Sequence, residues 1–418
     1  MPVAAVPDYL GRDFSHASPG MRFGMYLKLW VVNRRSHELL WTTHDIGYEV
    51  RGQQHQEREV KYENKVSALS DAKRLNDNDK NVMRASLERQ RQTFDAIASS
   101  ATSLRLDALA TAPFTTGLGN EHPLENGFAF LNPYGLPYLP GSGIKGVLRQ
   151  AARELASGEW DDDTEGWSDE RRYPLTVDGK LVLDSKKQPV VLTMLDVLFG
   201  RETPSGESDH VRGALSFWDV IPQIEGDSLM VEIMTPHQKH YYQDGGTPHE
   251  SGQPSPISFL TVPPDSRFVF HVQCDLAFLD RLAPDLARDG RWKTLLQEAF
   301  EHAFKWLGFG AKTAAGYGAM TRLSDEEVAR TERESRKAAL RCEWVDEKIK
   351  ELAAKNRASE ADTLRGRGLA EAWAALADTD LKTRALADIR ARWESQGWWA
   401  APPGGAAKKA RAIYDGTA

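Results

Sequence analysis

Cysteine is almost absent: only Cys274 and Cys342 occur in 418 residues. Two thiols exclude a disulfide framework and a cysteine-only zinc site. No window approaches 18 consecutive apolar residues, so no membrane span is expected. Residues 1–9 lack a basic region followed by an apolar stretch, so no export signal is expected. A reducing cytoplasm is the simplest compartment for such a chain. Positive charge is also scarce: 53 Lys and Arg stand against 60 Asp and Glu, a net charge of -7. That balance excludes a uniformly basic surface, so any RNA contact must come from a local cationic patch. Neither G-x-S-x-G nor H-E-x-x-H occurs. What remains is 41% hydrophobic and 27% charged, the composition of a folded soluble protein. The length suits one large domain or two ordinary ones.

The strongest patterns lie in the middle of the chain. Residues 102–110 alternate, with Leu104, Leu106 and Ala108 on one side, and read as a strand. Ser142 opens a helix whose Ile144, Val147, Leu148, Ala151, Ala152 and Leu155 line one face. After a polar insert, Asp178-Gly179 reads as a hairpin turn. Residues 191–199 read as a short helix stopped by Gly200. Residues 214–221, 229–234 and 267–276 read as strands. The last is the clearest, with Phe268, Phe270, Val272, Cys274 and Leu276 at every second place. A second amphipathic helix spans 292–307, and a glycine-rich loop leads into a strand at 319–323. Setting aside inserts and the additional strand at 229–234, the order is β-α-β-β-α-β. This predicts an α+β, ferredoxin-like core with both helices on one face of the sheet.

The flanks lie outside that order. Residues 1–100 carry an expected strand at 21–32 and a charged helical stretch at 61–98. Residues 325–400 are helical, with Trp373, Leu376, Leu386, Ile389 and Trp393 as apolar anchors. Pro402-Pro403-Gly404-Gly405 opens a tail, 401–418, expected to be flexible. The expected domains are therefore 1–100, 101–324, 325–400 and the tail.

Three segments carry candidate chemistry. In Gly141-Ser142-Gly143-Ile144-Lys145-Gly146 the glycines match G-x-G-x-x-G. A dinucleotide site needs that loop directly after the first strand of a βαβ unit, and Pro137 and Pro140 stand there instead. Small residues and free N–H groups at a helix start still attract anions, an RNA phosphate among them. Lys145, Arg149 and Arg153 follow at intervals of four, forming a basic ridge. Ser142, Gly143, Lys145 and Arg149 are the candidates here; a solvated helix face is the plainer reading.

Gly308 to Gly318 is no P-loop, because Ala311 rather than Gly precedes Lys312. Gly310, Lys312 and Thr313 suit a backbone cradle for sugar-phosphate, with Tyr317 offering a stacking ring. A structural connection needing positive φ, with Tyr317 in the core, is the plainer reading.

The third segment, residues 235–242, places His237, Lys239 and Tyr241 side by side with His240 and Tyr242. His237 and His240 have metal-ligand spacing, but no third ligand is indicated except His249, so no metal is assigned. His122 is the best single acid–base candidate, yet a site histidine needs an oriented partner, and a structural or RNA contact is expected instead. The cationic segments are expected along a single edge of the sheet.

These segments, in this order, resemble the RAMP superfamily of CRISPR proteins. More narrowly, they are similar to the sixth subunit of the Cmr (type III-B) complex. The matching blocks are 114–119, 127–130 and 136–149, then 234–242 with 256–263, then 308–318. The resemblance implies a non-catalytic RNA-binding subunit holding the 3′ part of the CRISPR RNA opposite target RNA. It implies contacts to the repeated backbone RAMP subunit, the small helical subunit and a terminal RAMP subunit. No cofactor, small-molecule substrate or membrane follows from it. The alternative is a metal-independent CRISPR RNA-processing endonuclease on the same fold, with a histidine such as His122.

Overall fold

The structure is a computed structural model. It describes residues 3–32, 39–41, 44–51, 56–160, 166–177, 180–184, 187–201, 210–235, 247 and 256–416. The chain divides into two compact units, Met1–Leu323 and Ser324–Ala418. Each unit has its own apolar core.

In the first unit six elements follow one another: strand β1 (Ser103–Ala110), helix α1 (Gly141–Ala156), strand β2 (Leu215–Phe217), strand β3 (Arg267–Cys274), helix α2 (Arg291–His302) and strand β4 (Met320–Arg322). The strands form one sheet ordered β2-β3-β1-β4, with every neighbouring pair antiparallel. Alternation in the two central strands decides what faces the helices. Phe268, Phe270 and Val272 of β3 and Leu104, Leu106 and Ala108 of β1 are buried. Phe270 meets Phe300 of α2 at 5.2 Å between ring centroids, and Phe304 and Phe309 complete that cluster. Each such buried ring contributes roughly 1.5–3 kcal/mol through the area it removes from water. The helix α1 buries Ile144, Leu148, Ala151, Ala152 and Leu155, the stripe its spacing predicts, and packs against α2.

The intervening positions point to the other face. There Asp107, buried, accepts hydrogen bonds from Arg105 (3.0 Å) and Arg267 (2.9 Å). Helix Asp77–Ile97 supplies Phe94, which lies 4.5 Å from His271 and 5.5 Å from Trp218. Burial, with the Arg105 charge adding to it, pushes His271 down to about 4. This face of the sheet is therefore covered where Phe94 meets His271.

Several expected boundaries move. The stretch 21–32 is not one strand: Pro19–Phe23 is helical, capped by Ser18, and only Trp30–Val32 is extended. Of the helical stretch 61–98, residues 64–72 and 77–97 are helical, separated where Asn76 caps the second helix. The helix expected over 191–199 is a strand, Val191–Thr193, followed by a helix, Met194–Phe199. Thr193 and Asp196 form a reciprocal cap that fixes the switch. The strand at Met230–Met234 pairs with Ile257–Thr261 and lies outside the four-stranded sheet. Val177 pairs with Lys180 and Thr176 with Leu181, while the expected turn residues Asp178 and Gly179 lie outside the described residues.

The second unit is helical: Asp325–Leu340, Glu343–Asn356, Glu360–Leu364, Arg367–Ala374, Thr379–Ser395 and Gly404–Tyr414. Its core holds Val345, Ile349, Leu369, Ile389 and Trp393. The tail expected to be flexible instead carries the last helix, whose Ala407, Ala410 and Tyr414 are buried in that core. The prolines misled because they sit before the helix, with Pro403 at its cap, and Gly404 and Gly405 are its first two residues. Among the described residues no helix is long and apolar enough to cross a membrane.

Candidate nucleic-acid interface

Register decides where the glycine segments meet the sheet. β1 leads into residues 111–140 at the end where Ala110 pairs with Met320 and Leu109 with Arg267. β2 runs parallel to β1, so the residues after Phe217 leave at that same end. Both the start of α1 and the loop before β4 therefore open there. They do so at opposite edges. Gly141 lies against Phe217 and Trp218 at the β2 edge, whereas the 308–318 loop enters β4 at the other edge. The expectation of a single edge is corrected: three strand intervals, about 14 Å, separate the two edges at the usual strand spacing.

The residues Phe114–Thr116 form the hub of this end. Phe114 exchanges backbone hydrogen bonds with Val262 at 3.0 and 2.7 Å, and the buried Thr115 hydroxyl donates to Leu260 O at 2.9 Å. On its other side Ala311 N donates to Thr115 O (2.8 Å), and Gly318 N donates to Pro113 O (2.9 Å). The segments 113–116, 257–262 and 308–318 are thus knitted into one structure. Gly318, at φ 73°, is packed so tightly that a Cβ would overlap the Phe309 carbonyl oxygen. The glycines of this loop close the fold first; Gly316 alone among those at positive φ there faces open space.

Lys312 stands in the left-handed region at φ 59° and is half-buried. Its Nζ lies 3.0 Å from Met234 Sδ and 5.3 Å from the centre of the Phe259 ring. Met234 pairs with Ile257, so the lysine stands at the base of the connection carrying residues 236–255. Tyr317, half-buried, lies 5.7 Å from Phe259. Burial, then the charge of Glu232 and a hydrogen bond to it, raises the Tyr317 hydroxyl. Thr313 opens the short helical turn 313–315, and Gly310 approaches Thr115 and Phe114. His237, Lys239 and Tyr241 lie outside the described residues.

At the other edge the helix start is already engaged. Gly141 N donates to Asp219 Oδ1 at 2.7 Å, and Gly143 N donates to Pro140 O at 2.9 Å. A carboxylate supplied by the residues after β2 thus occupies part of the position offered to an RNA phosphate, a use of the helix dipole that any anion can make. Ser142 and Gly143 remain exposed, and Lys145 and Arg149 are half-buried. Arg153 donates to Gln150 (2.8 Å), Gln150 to Glu154 (2.9 Å), and Glu154 meets His302 at 2.7 Å. Burial works to raise Glu154, but the bonds from His302 and Gln150 outweigh it and hold the carboxyl below its ordinary range. The far end of the basic ridge therefore ties α1 to α2.

His122 is engaged at both nitrogens. Leu124 N donates to Nδ1 (3.1 Å), which leaves the proton on Nε2 to be donated to Phe23 O (2.9 Å). The ring stacks on Phe23 at 3.8 Å. Burial lowers its pKa, with the Phe23 bond working against it. A neutral imidazole with no free nitrogen holds its loop in place and has no proton position left for acid–base work. Sequence reading did not find Asp219, Met234, Phe259 or Glu232. Asp219 lies 78 residues from Gly141, and no local pattern announces such a pair.

Residues 108–321 match the model of the RAMP superfamily. The CRISPR system Cmr subunit Cmr6 of Pyrococcus furiosus is 30% identical over 236 residues, covering 48% of this chain and 63% of that protein. The chain thus spans less than two thirds of that relative's length. A chain in the cryo-EM structure of the type III-B Cmr-beta bound to cognate target RNA superposes with a TM-score of 0.41 at 16% identity, covering 62% of this chain and 71% of that one. The crystal structure of Cmr6 from Pyrococcus furiosus gives a TM-score of 0.27 at 26% identity, covering 53% and 98%. With the family match spanning more than half of its length, this chain belongs to the RAMP superfamily.

Proposed function

We propose that this chain is a Cmr6-like subunit of a CRISPR type III-B effector complex that binds RNA without cutting it. Superfamily membership and the 30% identity to a Cmr6 subunit support the assembly. The chain order β-α-β-β-α-β with sheet order β2-β3-β1-β4 supports a ferredoxin-like core as its scaffold. In this reading residues 101–324 are the RAMP core, with 1–100 and 325–418 as extensions. The subunit holds the 3′ part of the CRISPR RNA opposite target RNA in the cytoplasm. It docks on the repeated backbone RAMP subunit, the small helical subunit and a terminal RAMP subunit.

The observation that carries the RNA contact is the position of Lys312. Its left-handed backbone and the Met234 and Phe259 side chains hold the ammonium beside Met234, the strand residue that precedes the proposed contacts His237, Lys239 and Tyr241 in sequence. A cation beside an aromatic ring at a loop junction suits a ribose-phosphate strand. Ser142, Gly143, Lys145 and Arg149 at the other edge, with Gly310, Thr313 and Tyr317 near Lys312, complete the proposed surface. No catalytic residue, metal or cofactor belongs to this reading, and His122, bonded at both nitrogens, gives the endonuclease alternative no support.

The test measures binding of a labelled single-stranded CRISPR RNA fragment by fluorescence anisotropy across a salt series. Lys312→Ala, Lys145→Ala and Arg149→Ala are each expected to weaken binding whatever the base sequence. Each should lower the salt slope by about 0.7, the step for one phosphate left without its cation on a single strand. Unchanged slopes in all three variants would remove the surface. A discrete cut of precursor RNA without metal, lost in His122→Ala, would restore the endonuclease reading.

A further inference from the structure

The second unit lies beyond the residues that match the family, and the proposed function makes no use of it. Its charge differs from the rest of the chain. Residues 324–418 carry 18 Lys and Arg against 17 Asp and Glu, a net charge of +1, which leaves -8 on residues 1–323. Its tryptophans are divided between two roles. Trp393 is fully buried, but the neighbouring pair Trp398 and Trp399 is only half-buried.

The half-buried pair is held firmly and surrounded by arginine. Trp399 lies 6.0 Å from Trp393 at an interplanar angle of 78°, and 6.2 Å from Tyr414. The Arg411 guanidinium stands 3.7 Å from the Trp399 ring centre and that of Arg390 5.3 Å from the same ring. Arg365 stands 5.9 Å from the centre of the Trp398 ring. Each arginine has a carboxylate within about one helical turn: Asp362 for Arg365, Glu394 for Arg390 at 2.8 Å, and Asp415 for Arg411. Pairs of this kind are worth only about 0.3–0.5 kcal/mol, and a stronger anion can replace them. Two cations on one indole also act on each other. Burial and then the Arg390 charge both lower the Arg411 pKa, and an anion set between the two guanidiniums would relieve that repulsion.

We propose that the Trp398–Trp399 face, with Arg365, Arg390 and Arg411 around it, binds single-stranded nucleic acid. Bases stack on the accessible part of the half-buried indoles as the guanidiniums over Trp399 turn to the phosphates. The combination selects this ligand: an acidic peptide satisfies the cations but leaves the flat rings unused, whereas a nucleotide strand uses both. Nothing in the patch reads base edges, so RNA and DNA single strands are equally suitable.

The full chain is tested with labelled oligouridylate, about 20 nucleotides long so that it exceeds one single-strand site, and its DNA counterpart across a salt series. Trp399→Leu should weaken binding about tenfold, the scale of removing one base–aromatic stack. Arg390→Gln with Arg411→Gln should lower the salt slope by about 0.7 for each phosphate that is no longer neutralised. Arg365→Gln, an exposed change that spares the core, should lower it by one such step. Ultraviolet cross-linking should place uridine on the peptide that carries Trp398 and Trp399. Unchanged affinity and slope in the arginine variants overturns the proposal, as do cross-links confined to residues 1–323. Loss of binding in Lys312→Ala with the arginine variants unaffected keeps the first-unit site and removes this one. The reverse pattern keeps this one and removes Lys312. Variants that release a protein partner while RNA affinity stays unchanged also overturn it.

Discussion

The two glycine-rich segments at one end of the sheet look alike in sequence and work differently. In the loop before β4, Gly308, Gly310, Gly316 and Gly318 all have positive φ, and three of them touch backbone or side chains closely. At the start of α1 only Gly141 is tightly packed, against the Phe217 carbonyl, while Gly146 faces open space. The difference teaches that glycine content locates a close approach without saying what approaches. At 308–318 it is the loop itself for Gly308 and Gly318, and Phe114 and Thr115 for Gly310. At 141–146 it is one strand end, with a carboxylate, Asp219, already on the helix start.

Substitutions that add a single methyl group can break this comparison. The largest effect is expected for Gly318→Ala, which combines an overlap with the Phe309 carbonyl and a left-handed backbone. It should cost at least about 3 kcal/mol in urea denaturation. A midpoint equal to the parent's would mean that Gly318 is not packed against Phe309. Gly141→Ala, which has no positive φ but meets the Phe217 carbonyl, should cost about 2 kcal/mol by the same measurement. Asp219→Ala removes the acceptor for Gly141 N and should cost about 1 kcal/mol, the usual value of a missing cap. The same variant exposes the helix start, so its affinity for single-stranded RNA should rise or hold; a fall would argue that Asp219 positions the RNA surface. The smallest effect is the opposite in sign: Gly146→Ala, in open space inside a helix, should stabilise by about 0.5–1 kcal/mol. A loss of stability there would show that the exposed side of α1 is occupied.

Much of the core was legible because its signals are periodic. The alternation of Phe268, Phe270 and Val272 gives the central strand, and the spacing from Ile144 to Leu155 gives α1, since burial on one face requires those intervals. Short elements were harder to read. Residues 191–199 form one apolar run, and only the Thr193–Asp196 cap separates strand from helix. The last helix escaped because the prolines before it look like the start of a disordered tail. Of the candidate site, Lys312 and Tyr317 stand beside the strand Met230–Met234, a neighbourhood that no local pattern announced. The single edge was wrong, because sequence order does not state which edge a connection leaves from.

By itself the sequence determined the order of strands and helices and the family to which they belong. It determined the few cations available to an acidic chain and the glycines that permit tight turns. These follow from side-chain chemistry and local periodicity, which neighbouring residues carry alone. Tertiary structure decided that Asp219 caps α1, that His122 uses both nitrogens, and that Lys312 leans on Met234 and Phe259. Most of those pairings join residues tens of positions apart, and they exist only once strand register and burial bring the partners within bonding distance.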